Sequence, residues 1–343
     1  MREPGIHEAV GRPGGGHDLN GGQASNGGQE PGGGQEPGGG QLPGGIFRGP
    51  EPHLRPRGRL LHPLRRKRSA DDGPTAFVFA GGGSRGAAQV GMLEVLVERG
   101  ITADAVYGVS AGAMNAAAYA GSPDAAGVEY LASVWRSLRR EDIFPRGRIA
   151  TPWRFFQQRE SVHPADGLRR VVEGGLAFEL IEDARVHLEV VATSLVDGRM
   201  QWFDSGPALT RIMASAALPA LLPPVSIGEE RFIDGGVVDN VPLDRALERG
   251  ARRVFVLLCG PLRYHPAPYR RPVEAILTAF FIALHASFTR VLASLPPGVE
   301  VIVVDVDGHP GSGYDDFSGT EDLIRAGRKN AEAVLDAWAS GSN

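Results

Sequence analysis

Cysteine is almost missing from this chain: Cys259 is the only one in 343 residues. One thiol closes no intrachain disulfide and builds no Cys-based zinc site, and such sparse usage fits a reducing, cytoplasmic compartment. No uninterrupted apolar run reaches about 18 residues, so no transmembrane helix is expected. The N-terminus lacks a charged head followed by an apolar core, so no secretory signal peptide is expected. Aromatic residues are also scarce at the start. Residues 1–73 contain Phe47 alone, whereas 29 of those 73 positions are Gly or Pro. Such a segment buries too little apolar surface to offset its ordering entropy, so 1–73 is expected to be a disordered tail, with order beginning near Pro74. Collagen is excluded because the glycine period is six rather than three: Gly27–Gly32 reads GGQEPG, Gly33–Gly38 repeats it, and Gly39–Gly44 gives GGQLPG.

A strong charge of one sign is missing too. The chain carries 36 basic and 40 acidic residues, and the stretch after the tail carries 26 against 32. An acidic domain is a poor nucleic-acid binder, so no nucleic-acid partner is expected. The exception is 48–68, with eight basic residues and one acid, Glu51. That run suits contact with anionic lipid, such as the inner face of a membrane, or with nucleic acid, or else a solvated linker.

What remains, 74–343, reads as one large α/β domain with its motif-bearing core at 75–260. Thr75–Ala80 is an apolar strand running into the glycines of Gly81–Gly86, and Ala87–Glu98 has apolar residues at helical spacing. Ala103–Val109 is a second strand and Ala111–Ala120 an Ala-rich helix. This βαβα opening implies a right-handed crossover and a mostly parallel central sheet flanked by helices. Strands are expected at His187–Ser194 and Arg199–Phe203, joined by an Asp197-Gly198 turn, and at Phe232-Ile233, Arg253–Leu258 and Glu300–Val304. Helices are expected at Leu209–Ala217 and Thr320–Trp338. Pro272–Leu295 is apolar nearly all round, which suits a core helix or a lipid-facing helix.

Two glycine motifs carry chemistry. Gly81, Gly83 and Gly86 fit G-x-G-x-x-G between strand and helix, a geometry that can cradle a pyrophosphate. A dinucleotide site also needs an acid closing the second strand, and Asp104 lies at its beginning instead. That strand closes in Gly108-Val109-Ser110-Ala111-Gly112, a G-x-S-x-G between strand and helix, the context of a nucleophile elbow. Ser110 would project at a helix N-terminus, where free N–H groups and the dipole favour developing negative charge. The Gly81–Gly83 run, at the same sheet edge, offers amides unobstructed by Cβ. Asp234-Gly235-Gly236 follows a strand, and taken alone it is an ordinary turn.

Together these segments resemble the patatin-like phospholipases, in particular the bacterial and neuropathy-target-esterase-like branch. The resemblance rests on Gly81–Gly86, Gly108–Gly112 and Asp234–Gly236 in that order, with Ala214-Ser215 and Pro223-Pro224 ahead of Asp234 and Asp239–Leu243 after it. It extends from about Ala76 to about Leu243. It implies a three-layer α/β/α fold and a lipid or ester substrate, with no metal or cofactor. It further implies a Ser–Asp dyad, in which Ser110 is the nucleophile and Asp234 the proton acceptor. Gly81, Gly82 and Gly83 would form the oxyanion hole, with Gly86, Gly108, Gly112, Gly235 and Gly236 in support. Arg85 would meet a lipid phosphate or brace the loop. Three rivals stand beside it: an α/β-hydrolase triad using His309, a transacylase, and a catalytically silent lipid-binding protein.

Overall fold

A computed structural model of the chain describes residues 44–50, 73–145, 161, 163–262, 272–306 and 315–341. The remaining residues lie outside it, among them His309, nearly all of the 48–68 basic run and the hexapeptide repeats. Five strands form the parallel centre of a sheet: β2 (Thr75–Phe79), β3 (Ala105–Gly108), β4 (His187–Ser194), β8 (Arg253–Leu257) and β9 (Glu300–Val304). Antiparallel strands finish its sides: β1 (Gly45–Arg48), β5 (Met200–Phe203), β6 (Val225–Ile227) and β7 (Glu230–Asp234). The hydrogen-bonded order is β1-β9-β8-β2-β3-β4-β7-β6, with β5 also pairing β4.

Helices cover both faces. They are α1 (Ala87–Glu98), α2 (Ala111–Gly121), α3 (Ala125–Ser137), α4 (Arg140–Ile143), α5 (Asp166–Gly175), α6 (Ala208–Ser215), α7 (Leu243–Glu248), α8 (Pro272–Ala293) and α9 (Thr320–Ser340). Side chains of a strand alternate between faces, and the core divides accordingly. Phe77 and Phe79 of β2 join the larger cluster, with α1, α2, α3 and α9, whereas Ala76 and Val78 join the smaller one, with α7 and the end of α8. The mostly parallel three-layer fold expected from the sequence is the fold observed. Phe288, Leu292 and Leu295 bury the C-terminal end of α8 and its following turn, so that part is a core helix, while Ile282 is exposed. No described helix is long and apolar enough to cross a membrane.

One expectation is corrected. Part of the presumed disordered tail is a strand, because Gly45–Arg48 pairs antiparallel with β9, Ile46 opposite Ile302 and Phe47 opposite Val301. Its single aromatic, Phe47, packs against the smaller core, and Arg48 Nε donates to Glu300 Oε1 at 3.1 Å. The physical reason is local: two apolar residues suffice to add a strand to an open sheet edge, however polar the surrounding sequence. The expected strands and helices otherwise occur with boundaries shifted by a few residues, and α3, α4, α5, α7 and β6 are additional.

Candidate active site

The register of β4 brings two distant residues together. Val190 pairs with both Gly108 and Phe203, and Ala192 with both Gln201 and Asp234. A strand residue has one partner on each side, so β5 occupies one edge of β4 while β3 and β7 share the other. Strand β3 stops at Gly108 and turns away at Ser110. Strand β7 arrives from the opposite direction along the vacated edge and ends at Asp234, two residues beyond on β4. Ser110 and Asp234, 124 positions apart, therefore meet end to end.

Ser110 sits at φ 56°, ψ −128°, one of two non-glycine residues with positive φ among those described. Such a conformation costs about 1–3 kcal/mol and persists only where its surroundings impose it. Here the Ser110 N–H donates to Ser215 Oγ at 3.1 Å, and the Ser110 carbonyl accepts from Ala113 N at 3.0 Å. Ser110 is the N-cap of α2, so its hydroxyl stands where the dipole of an 11-residue helix is positive. Gly112 is required by close approach: a Cβ there would strike the carbonyl oxygens of Phe79 and Ala80 at the end of β2.

Asp234 is buried, at 1% exposure. Its Oδ1 accepts from Gly236 N at 2.8 Å, Thr193 Oγ1 donates to its backbone carbonyl at 3.1 Å, and Ala217 accepts its N–H at 3.0 Å. Oδ2 is buried without a well-formed hydrogen bond. Burial pushes the carboxyl up to about 6, against the pull of the Ser110 hydroxyl and the Gly236 amide. The Ser110 hydroxyl thus lies near enough to favour the charged form of the carboxyl.

The Gly-rich loop turns beside them. Gly81, expected among the oxyanion donors, donates its N–H to the Asn240 carbonyl at 3.1 Å, and Asn240 Nδ2 donates back to the Gly81 carbonyl at 3.1 Å. This double clip spends the Gly81 amide on holding the loop. Gly82 and Gly83 open a 3₁₀ turn (Gly83–Gly86), whose first amides have no intrahelical acceptor. Gly83, at φ 57°, needs the freedom of glycine. Arg85 lies beside buried Cys259, whose thiol burial pushes up to about 12.

Beneath the loop runs a buried polar chain that the sequence did not disclose. Gln89 Nε2 donates to the Ala80 and Leu257 carbonyls (2.9 and 2.8 Å), and Asn115 Nδ2 donates to Gln89 Oε1 (2.8 Å) and the Gly86 carbonyl (3.0 Å). Trp135 Nε1 donates to Asn115 Oδ1 at 2.8 Å. The chain ties the loop, α2 and α3 to the sheet. Asn240 and Ser215 lie in segments that the resemblance singled out, yet their clamping role depends on tertiary contacts. An apolar groove, open on one side, reaches Ser110 and Gly83, with Met114, Ile143, Phe144, Leu168 and Leu222 among its walls.

The patatin-like phospholipase family model matches residues 77–247, about half the chain, and the chain belongs to that family. It is 32% identical over 190 residues to lysophospholipase NTE1 of Mycosarcoma maydis, covering 54% of this chain and 10% of that protein. It is 28% identical over 285 residues to an uncharacterised NTE family protein of Mycobacterium bovis, covering 76% of this chain and 46% of the relative. The chain thus spans less than half the length of these curated relatives. Among solved structures, VipD from Legionella pneumophila aligns with TM-score 0.48 and 15% identity, over 78% of this chain and 68% of that one. Human GIVD cytosolic phospholipase A2 aligns with TM-score 0.44 and 14% identity, over 81% and 60%.

Proposed function

We propose that the chain hydrolyses acyl esters of phospholipids or lysophospholipids through a Ser110–Asp234 dyad. The observation that carries this reading is the meeting of a strained serine at a helix N-terminus with a buried, hydrogen-bond-poor carboxylate. The names of its relatives point to the same substrate class. Ser110 Oγ attacks the ester carbonyl and its proton passes to Asp234. The oxyanion takes hydrogen bonds from the Gly82 and Gly83 amides, helped by the α2 dipole. The tetrahedral adduct collapses to an acyl-enzyme, and the departing alcohol takes the proton from Asp234. Water then attacks the acyl-enzyme, giving a proton to Asp234, which returns it to Ser110 as the fatty acid leaves. Desolvation makes Asp234 a stronger base than a carboxylate in water, as this role requires. The apolar groove suits the acyl chain.

The test is hydrolysis of a medium-chain nitrophenyl ester in chelator-containing buffer. Ser110→Ala and Asp234→Asn are expected to fall to background and His309→Ala to retain most activity. Loss of activity only in the His309 variant would reject the dyad in favour of a triad.

A further inference from the structure

Two apolar cavities succeed one another along α2, and Ser110 belongs to the first. The second is walled by Ala118, Leu131, Val134, Val171, Leu176 and Ile212, among others. Met114, Trp135 and Leu138 line both and so form the partition. Helix geometry sets their order. Met114 is four residues and Ala118 eight residues past Ser110, so the partition stands about 6 Å and the second cavity about 12 Å along the axis.

The partition residues differ in freedom. Trp135 is pinned through Nε1 to Asn115. Leu138 is buried, and its amide donates to Val134 O at 3.1 Å, closing α3. Met114 is only half-buried and unbranched, with three soft torsions, so it is the member able to swing aside. Asn115 is the polar side chain of the second cavity, and both its amide atoms are committed to Gln89, Gly86 and Trp135. Nothing in that side-chain lining invites water, and such a cavity suits hydrocarbon.

We propose that the second cavity binds the distal half of a long, unbranched fatty acyl chain and that Met114 is the gate that admits it. The proposal rests on the reading of Ser110 as the acylated residue. A butyryl group ends before Met114, whereas a lauroyl group displaces the thioether and continues toward Ala118.

The experiment compares kcat/KM for nitrophenyl butyrate and laurate in the full chain and in Met114→Ala and Ala118→Leu. The laurate-to-butyrate ratio is expected to rise in Met114→Ala and fall in Ala118→Leu, by about fourfold for each methylene admitted or excluded. An unchanged ratio in both folded variants overturns the gate. Should Ala118→Leu fail to fold, as judged by thermal denaturation, calorimetric titration of laurate into Ser110→Ala and Ser110→Ala/Met114→Ala decides: tighter binding in the double variant supports the gate, and equal or weaker binding overturns it. If the parent hydrolyses no ester at any length, the hydrolase reading fails, and the same titration still judges the cavity.

Discussion

Replacing Asp234 with Asn should abolish activity and stabilise the fold, and the size of the gain follows from burial. Desolvation raises the carboxyl from 3.8 to about 6. A group whose folded pKa is raised binds its proton more tightly in the native state, so this carboxyl is free of penalty below about pH 4. Between pH 4 and 6 the unfolded chain gives up this proton while the native carboxyl keeps it, so the cost grows, and above about pH 6 the native carboxyl ionises as well and the cost is fully present. At 1.36 kcal/mol per unit, the cost at pH 7.5 is about 3 kcal/mol. Asparagine keeps the acceptor for the Gly236 amide, turns its NH2 toward the Ser110 hydroxyl oxygen and carries no charge. Urea denaturation of both proteins at pH 5 and pH 7.5 measures the difference. The variant should gain about 1–3 kcal/mol at pH 7.5, roughly 2–4 °C in Tm per kcal/mol, and distinctly less at pH 5. Other titrating groups cancel in the comparison. A variant less stable than the parent by the same amount at both pH values would refute the reasoning.

Other outcomes follow from the same physics. The activity of the parent should rise with pH through about 6, as Asp234 ionises, and a kcat/KM profile flat from pH 5 to 7 would contradict its role as base. Buried Glu189 is held by Arg245 (2.7 Å), Arg249 (2.6 Å) and His187 (3.1 Å), which together outweigh its burial and hold its carboxyl at about 2. A lowered carboxylate contributes stability above about pH 4.5 and loses it as pH falls toward 2. Glu189→Gln should therefore cost about 3 kcal/mol at pH 7 and little near pH 2, measured by denaturant melts. Deletion of residues 1–43 should leave Tm unchanged, whereas deletion of 1–72 removes β1, uncovers the edge of β9, and should lower Tm and promote aggregation in light scattering.

The opening of the fold was legible because its signals are local. An apolar strand meets a glycine cluster, and the period then switches from two to that of a helix, so β2, α1, β3 and α2 could be placed from sequence. Helix α3 was legible as well, with Asp124 accepting from Gly127 N as N-cap and Val128, Leu131, Ala132 and Trp135 on one face. Strand β1 was hidden by composition, because a 73-residue average conceals Ile46-Phe47. At the site, the glycines and Ser110 declared themselves through spacing. What brings Asp234 to Ser110 is β7 taking the edge of β4 that β3 leaves, a long-range register that no local pattern encodes. The commitment of the Gly81 amide to Asn240, 159 residues on, is unreadable for the same reason.

The most direct test of the dyad is covalent capture. An alkyl fluorophosphonate incubated with the full chain should lose fluoride and form a P–O bond to one serine, which peptide mass spectrometry should locate at Ser110. Labelling should vanish in Ser110→Ala and slow at least about a hundredfold in Asp234→Asn, the usual scale for removing a general base. An adduct on another serine, or labelling of Asp234→Asn at the parent rate, would contradict the account.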